Sequence, residues 1–135
     1  MRLVGIILAG GPNGQHKSLL LYDKEPIIIH QIKEMSKLAG EIIIVTNTPR
    51  ELLPFVPANI RIITDFYHNR GPLGGLQAGL SLARADVAWV IDVTNIFPSR
   101  NIAHKLLKLL GKRNADIALP LINNKLEPLQ GVYRT

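Results

Sequence analysis

Four short runs of nearly unbroken apolar residues do most to limit what this chain can become. They lie at Arg2 to Leu8, Glu41 to Thr46, Arg61 to Thr64 and Val87 to Val93. Runs of this length without polar alternation read as strands buried on both faces. Helix-like stretches separate them. Ile28, Ile32, Met35 and Ala39 recur at helical spacing within Ile27 to Ala39, and Gly40 ends that stretch as a C-cap glycine does. Pro49 to Phe55 reads as a short helix with proline in its first turn. Two further helices are predicted from about Leu76 to Arg84 and over Asn101 to Leu110, where Ala103, Leu106, Leu107 and Leu110 share a face. Ile117 to Leu121 and Leu129 to Tyr133 read as two more strands. Strands alternating with helices predict an α/β fold, a three-layer αβα sandwich around a mainly parallel sheet, with the 2–8 strand central.

The length of 135 residues suits one domain, 1–135, and 47% apolar residues can build its core. The chain has no run of eighteen apolar residues, so no membrane span is expected. Met1-Arg2 leads straight into an apolar strand with no small-residue cleavage site, so no signal peptide is expected either. Cysteine is absent, which excludes a disulfide framework and a thiolate metal site. A cytoplasmic location is the default. The net charge of +6 suits either nucleic acid or a polyphosphate nucleotide. Only Lys105, Lys108, Lys112 and Arg113 gather, on a helix, and they read as a solvated face. Aromatic residues make up 5% of the chain, too few for a stacking platform, so nucleic acid is not the expected partner.

In an open parallel sheet, ligands bind beyond the carboxyl ends of the strands. The loops there begin at Ala9, Asn47, Asp65 and Thr94. Gly10 and Gly11 let the backbone approach a phosphate and offer N–H donors, and Lys17 adds a point charge. A plain tight turn with a surface lysine is the competing reading. The dinucleotide fingerprint G-x-G-x-x-G is absent after the first strand. Gly11-Pro12-Asn13-Gly14-Gln15-His16-Lys17-Ser18 would match a P-loop if His16 were glycine and a helix began at Lys17. Instead, Leu19-Leu20-Leu21-Tyr22 followed by Asp23-Lys24-Glu25-Pro26 reads as a short strand and turn. A second cluster, Gly71-Pro72-Leu73-Gly74-Gly75, opens a helix and keeps side chains away from a ligand. Asp65, ahead of it, can accept hydrogen bonds from a base or ribose, or serve only as a turn residue.

Together these residues resemble the molybdenum cofactor guanylyltransferase (MobA-like) family of nucleotidyltransferases. The resemblance rests on Leu8-Ala9-Gly10-Gly11, Lys17-Ser18-Leu19-Leu20, Pro26 with His30, Asn47, Asp65, Gly71-Pro72-Leu73-Gly74-Gly75, and Glu127-Pro128-Leu129 with Tyr133. It spans the whole chain and implies a Rossmann-like fold of the nucleotide-diphospho-sugar-transferase type. The implied reaction is GMP transfer from GTP to the phosphate of molybdopterin, with release of pyrophosphate. Catalysis there rests on positioning and charge neutralisation. By the resemblance, Leu8, Ala9, Gly10, Gly11, Asn47, Asp65, Gly74 and Gly75 hold GTP or another nucleoside triphosphate. Lys17 meets its phosphates as the catalytic residue. A magnesium ion sits at the end of the 87–93 strand.

Three departures accompany the resemblance. The segment between Gly11 and Lys17 is short and lacks the family's arginine and methionine-glycine pair. In Asp92-Val93-Thr94-Asn95-Ile96-Phe97-Pro98, Asn95 aligns with the family's magnesium aspartate, while strand alternation and depth set Asp92 aside. A neutral amide is a poor magnesium ligand, so magnesium is expected to add little to nucleotide affinity. Third, the chain reads as C-terminally short, since it stops at Thr135 soon after Glu127-Pro128-Leu129. The alternative function is therefore a nucleotide-binding or partner protein of the same fold without catalysis.

Overall fold

The computed structural model describes residues 2–10, 14–64 and 71–135, and for residues 14–16 and 71–73 the backbone alone. The elements are β1 (Leu3–Leu8), α1 (Gly14–Leu19), β2 (Leu21–Tyr22), β3 (Glu25–Pro26), α2 (Ile27–Ser36), β4 (Glu41–Thr46), α3 (Pro49–Leu52), β5 (Arg61–Thr64) and α4 (Gly71–Leu82). They continue as β6 (Val87–Asp92), α5 (Arg100–Lys112), β7 (Ile117–Ala118), β8 (Leu121–Ile122), β9 (Lys125–Leu126) and β10 (Val132–Arg134). The main sheet has the order β5-β4-β1-β6-β10-β7, with β1 in its interior as expected. β5, β4, β1 and β6 are mutually parallel, and β10 runs antiparallel to both β6 and β7.

Side chains of a strand alternate between faces, so each central strand feeds two cores. Ile7, Ile44, Trp89 and Ile91 pack with Ile28, Ile32 and Met35 of α2 and Ala103, Leu106 and Leu110 of α5. Val4, Ile6, Leu8, Ile43, Val45, Ala88 and Val90 pack on the opposite face with Leu76 and Ala78 of α4. Burial on both faces explains why these strands show no polar alternation. Helix α4 approaches closely because residue 79 is glycine. A β-carbon there would stand 2.9 Å from Ile6 Cγ2. Helix α5 starts at Ser99, whose Oγ accepts the Ile102 N–H at 3.3 Å.

Several expected boundaries move. The segment read as a loop through His16 becomes helical from Gly14, and Leu19 ends that helix rather than starting a strand. β2 and β3 form a hairpin whose turn residues Asp23 and Lys24 have φ of 51° and 67°. Helix α4 begins at Gly71, five residues before the expected Leu76. α3 continues into a 3₁₀ turn at Leu53–Phe55, where Pro54 has no N–H for a longer ladder. The expected strand Ile117 to Leu121 divides at Pro120, and Pro128–Gln130 is a 3₁₀ turn before β10. Among the described residues, no helix is long and apolar enough to cross a membrane.

Candidate functional site

All four parallel strands deliver their carboxyl ends to one edge of the sheet. β1 passes there through Ala9, whose N–H donates to the Val45 carbonyl at 2.8 Å. This bond holds the first loop beside the end of β4. Gly10 follows and is exposed. The Asn47 amide lies against it, with Nδ2 3.6 Å from where a β-carbon of residue 10 would stand. Leu8, Ala9, Gly10 and Asn47, separated by nearly forty positions in sequence, therefore meet at one point. The chain beyond Asn47 is turned by Thr46, whose buried Oγ1 accepts the Thr48 N–H at 3.1 Å.

Lys17 lies on α1 and is exposed, while Leu19 of the same helix packs against the core. A helix starting before the lysine differs from a P-loop, where the helix N-terminus itself faces the phosphates. Gly74 and Gly75 are buried in the first turns of α4, the helix that covers the Leu8 side of the sheet. Gly11 and Asp65 lie outside the described residues.

On the other side of β1, the strand end differs from the expectation. β6 ends at Asp92, which pairs in register with Leu8, and Asn95 lies three residues further on. Asp92 is only half-buried, so depth does not set it aside. Alternation places it on the face of Ala88 and Val90, which is also the α4 face. Its Oδ1 accepts the Thr94 N–H at 2.8 Å, and its carbonyl accepts the Asn95 N–H at 2.9 Å. These two bonds make a tight turn that fixes the carboxylate at the sheet edge. Asn95 instead lines a cavity of about 250 Å³ on the α5 side, with Trp89, Phe97, Ile102, Ile122 and Gln130. The residue that sequence reading set aside thus occupies the strand end. Its signal in the sequence was a carboxylate next to the end of the 87–93 apolar run.

Magnesium needs hard oxygen ligands and takes one or two carboxylates, with substrate phosphates and water completing six positions. Among the described residues, no three His, Asp or Glu side chains cluster as a self-contained metal site. A single half-buried carboxylate suits such an ion where a bound nucleotide would supply the remaining charge. His30, part of the family pattern, is engaged elsewhere: its Nε2 is 2.7 Å from the Tyr22 carbonyl, and its ring meets Tyr22 edge-on. Glu127 carries the backbone into the 3₁₀ turn, and the Tyr133 hydroxyl donates to the Pro128 carbonyl. Burial pushes the Tyr133 phenol above its ordinary pKa of 10.0.

The chain is similar to known proteins in sequence and in fold. A probable molybdenum cofactor guanylyltransferase from Clostridium perfringens is 30% identical over 132 residues, covering 95% of this chain and 64% of that protein. The molybdenum cofactor guanylyltransferase of Desulfosudis oleivorans is 27% identical over 135 residues, covering 97% of this chain and 65% of that protein. The chain thus spans somewhat less than two thirds of these relatives. Among solved structures, molybdopterin-guanine dinucleotide biosynthesis protein A from Archaeoglobus fulgidus superposes with a TM-score of 0.78. That match is 18% identical and covers 97% of this chain and 67% of that one, so it speaks for the fold. The model of the MobA-like NTP transferase domain matches residues 5–135, and the chain belongs to that family.

Proposed function

We propose that this chain, as one domain over residues 1–135, transfers GMP from GTP to molybdopterin in the cytoplasm. The observation that carries the reading is that Gly10 and the Asn47 amide meet at the carboxyl edge beside β1, the same edge at which Asp92 stands in register with Leu8. The Gly10 backbone approaches the phosphates without a side chain in the way, and the Asn47 amide fixes the nucleoside beside it. Lys17 brings positive charge to the phosphates. Asp92 is the residue that would hold magnesium, in place of the Asn95 expected from alignment. The ion, when bound, would neutralise charge building on the phosphates. Gly11, Asp65, Gly74 and Gly75 belong to the same nucleotide site by family pattern. In the transfer, an oxygen of the molybdopterin phosphate attacks the α-phosphorus of GTP. The bond from that phosphorus to the bridging oxygen breaks, and pyrophosphate leaves with the electron pair. The chain's part is to orient the triphosphate and offset its charge.

The test is a reaction with GTP, magnesium and molybdopterin, run in parallel with CTP and ATP. Pyrophosphate release and a guanine dinucleotide product are expected with GTP. GTP binding with no pyrophosphate release would leave the nucleotide-binding, non-catalytic reading in its place.

A further inference from the structure

Gln31 is a glutamine on the apolar stripe of α2, between Ile28 and Ile32, and it is fully buried. Its Nε2 donates to two carbonyls at once, Val93 at 3.1 Å and Asn95 at 2.9 Å. Both belong to the turn that follows Asp92. Only the amide nitrogen can serve two carbonyl acceptors, so the side-chain orientation is fixed by chemistry. Its own Oε1 is buried with no hydrogen-bond partner. A buried amide that leaves one oxygen unsatisfied is a poor choice for stability alone. A leucine would complete the apolar stripe with Ile28, Ile32 and Met35.

We propose that Gln31 is a positioning residue for Asp92, acting through the turn 92–95; this rests on the reading of Asp92 as the magnesium carboxylate. The turn has three ties. Val93 N–H donates to Leu8 O at 3.0 Å, Thr94 N–H donates to Asp92 Oδ1 at 2.8 Å, and Gln31 clamps the carbonyls of Val93 and Asn95. The first tie joins the turn to β1, which carries the glycine loop. The second aims the carboxylate. The third comes from outside the strand layer: through the Val93 carbonyl it sets the 93–94 peptide, whose N–H is the Thr94 donor to Asp92, and through the Asn95 carbonyl it holds the 95–96 peptide at the far end of the turn. Without the amide, those peptides can rotate, the Thr94 N–H leaves Oδ1, and the carboxylate loses its fixed direction. Gln31 touches neither nucleotide nor metal. Its effect is therefore confined to whatever depends on Asp92.

Gln31→Leu keeps the volume and removes the donor. GTP is titrated calorimetrically into wild type and variant, with and without magnesium, and hydrogen exchange of the Thr94 and Asn95 amides is followed without ligand. A thermal melt confirms that the variant is folded, and Gln31→Met serves as a second variant should it not be. The expected result is magnesium-free GTP affinity within about twofold of wild type. Affinity gained from magnesium falls about tenfold, and Thr94 exchange is faster, as expected for losing a buried donor. Equal losses with and without magnesium would show a merely structural role and overturn the proposal. So would a magnesium effect unchanged from wild type, which leaves the reading of Asp92 standing. Wild-type protein that binds GTP with no magnesium effect removes that reading by itself, and the role of Gln31 with it.

Discussion

The parallel half of the sheet and its antiparallel flank are built on different terms. In β4, β1 and β6, nearly every side chain is buried, and the strands are held by helices on both faces. In the flank, β7 and the β8–β9 hairpin are two residues long per strand, and Ile117, Leu121 and Leu126 are 52%, 63% and 63% exposed. The hairpin owes its form to its turn, where Asn123 and Asn124 adopt φ of 51° and 64°. Packing specifies the first region, and local backbone chemistry specifies the second. Stability and site geometry depend on the parallel half together with the inward residues Ala118, Val132 and Tyr133, while the exposed side chains of the β8–β9 hairpin tolerate change.

Truncating one side chain in each region separates the two. Ile43 is fully buried between β1 and β5. Ile43→Ala should cost about 2–5 kcal/mol in urea unfolding, whereas Leu121→Ser should stay within about 0.5 kcal/mol. Comparable losses at both positions would erase the distinction. Gly131, just before β10, is a flank position where the backbone itself is crowded. A β-carbon there would press on Leu119 Cδ2 and stand 2.8 Å from the Ala118 carbonyl, which is backbone and cannot step aside. Gly131→Ala should cost about 1–3 kcal/mol by the same measurement.

Tyr133→Phe should cost about 1 kcal/mol at neutral pH, since it removes the donor to the Pro128 carbonyl. Its pH dependence has a definite sign. Burial raises the folded pKa, so the stabilisation is complete below the unfolded value near 10.0. As pH rises past that value, the unfolded chain ionises first and the stabilisation is lost. Wild type should therefore lose stability above pH 10 more steeply than Tyr133→Phe; parallel curves would remove Tyr133 from the account. The smallest effect belongs to the hairpin. Asn124→Gly relieves a left-handed residue and should raise the melting temperature by an amount equivalent to a few tenths of a kcal/mol. A loss would mean that the Asn124 side chain contributes more than its backbone preference.

The parallel half was legible in sequence because burial on both faces leaves an unambiguous apolar run, as in Ile42 to Val45. The glycine loop and Asn47 were legible because they follow such runs directly. The flank was less so. Ile117 to Leu121 reads as one strand, yet it breaks at Pro120, and its last residue enters a hairpin turned by the left-handed Asn123–Asn124 pair. Helix α1 was hidden by Gly14, which has poor helix propensity, in a segment only six residues long. Asp92 reads as deeper than it is because the 87–93 run extends one residue past the end of β6, which puts its carboxylate inside the strand instead of at its end. Gln31 interrupts an apolar stripe, and that signal has meaning only once its partners across 62 and 64 positions are known.

On the proposed reading, this sheet edge binds a nucleoside triphosphate with Asp92 as its metal carboxylate. Calorimetric titration of GTP into wild type, Asp92→Asn and Asn95→Ala, each with and without magnesium, tests it most directly. Magnesium is expected to strengthen GTP binding in wild type and in Asn95→Ala. In Asp92→Asn that gain falls about tenfold to a hundredfold, the scale of one lost charge-assisted contact. A magnesium effect that survives Asp92→Asn and disappears in Asn95→Ala would contradict it.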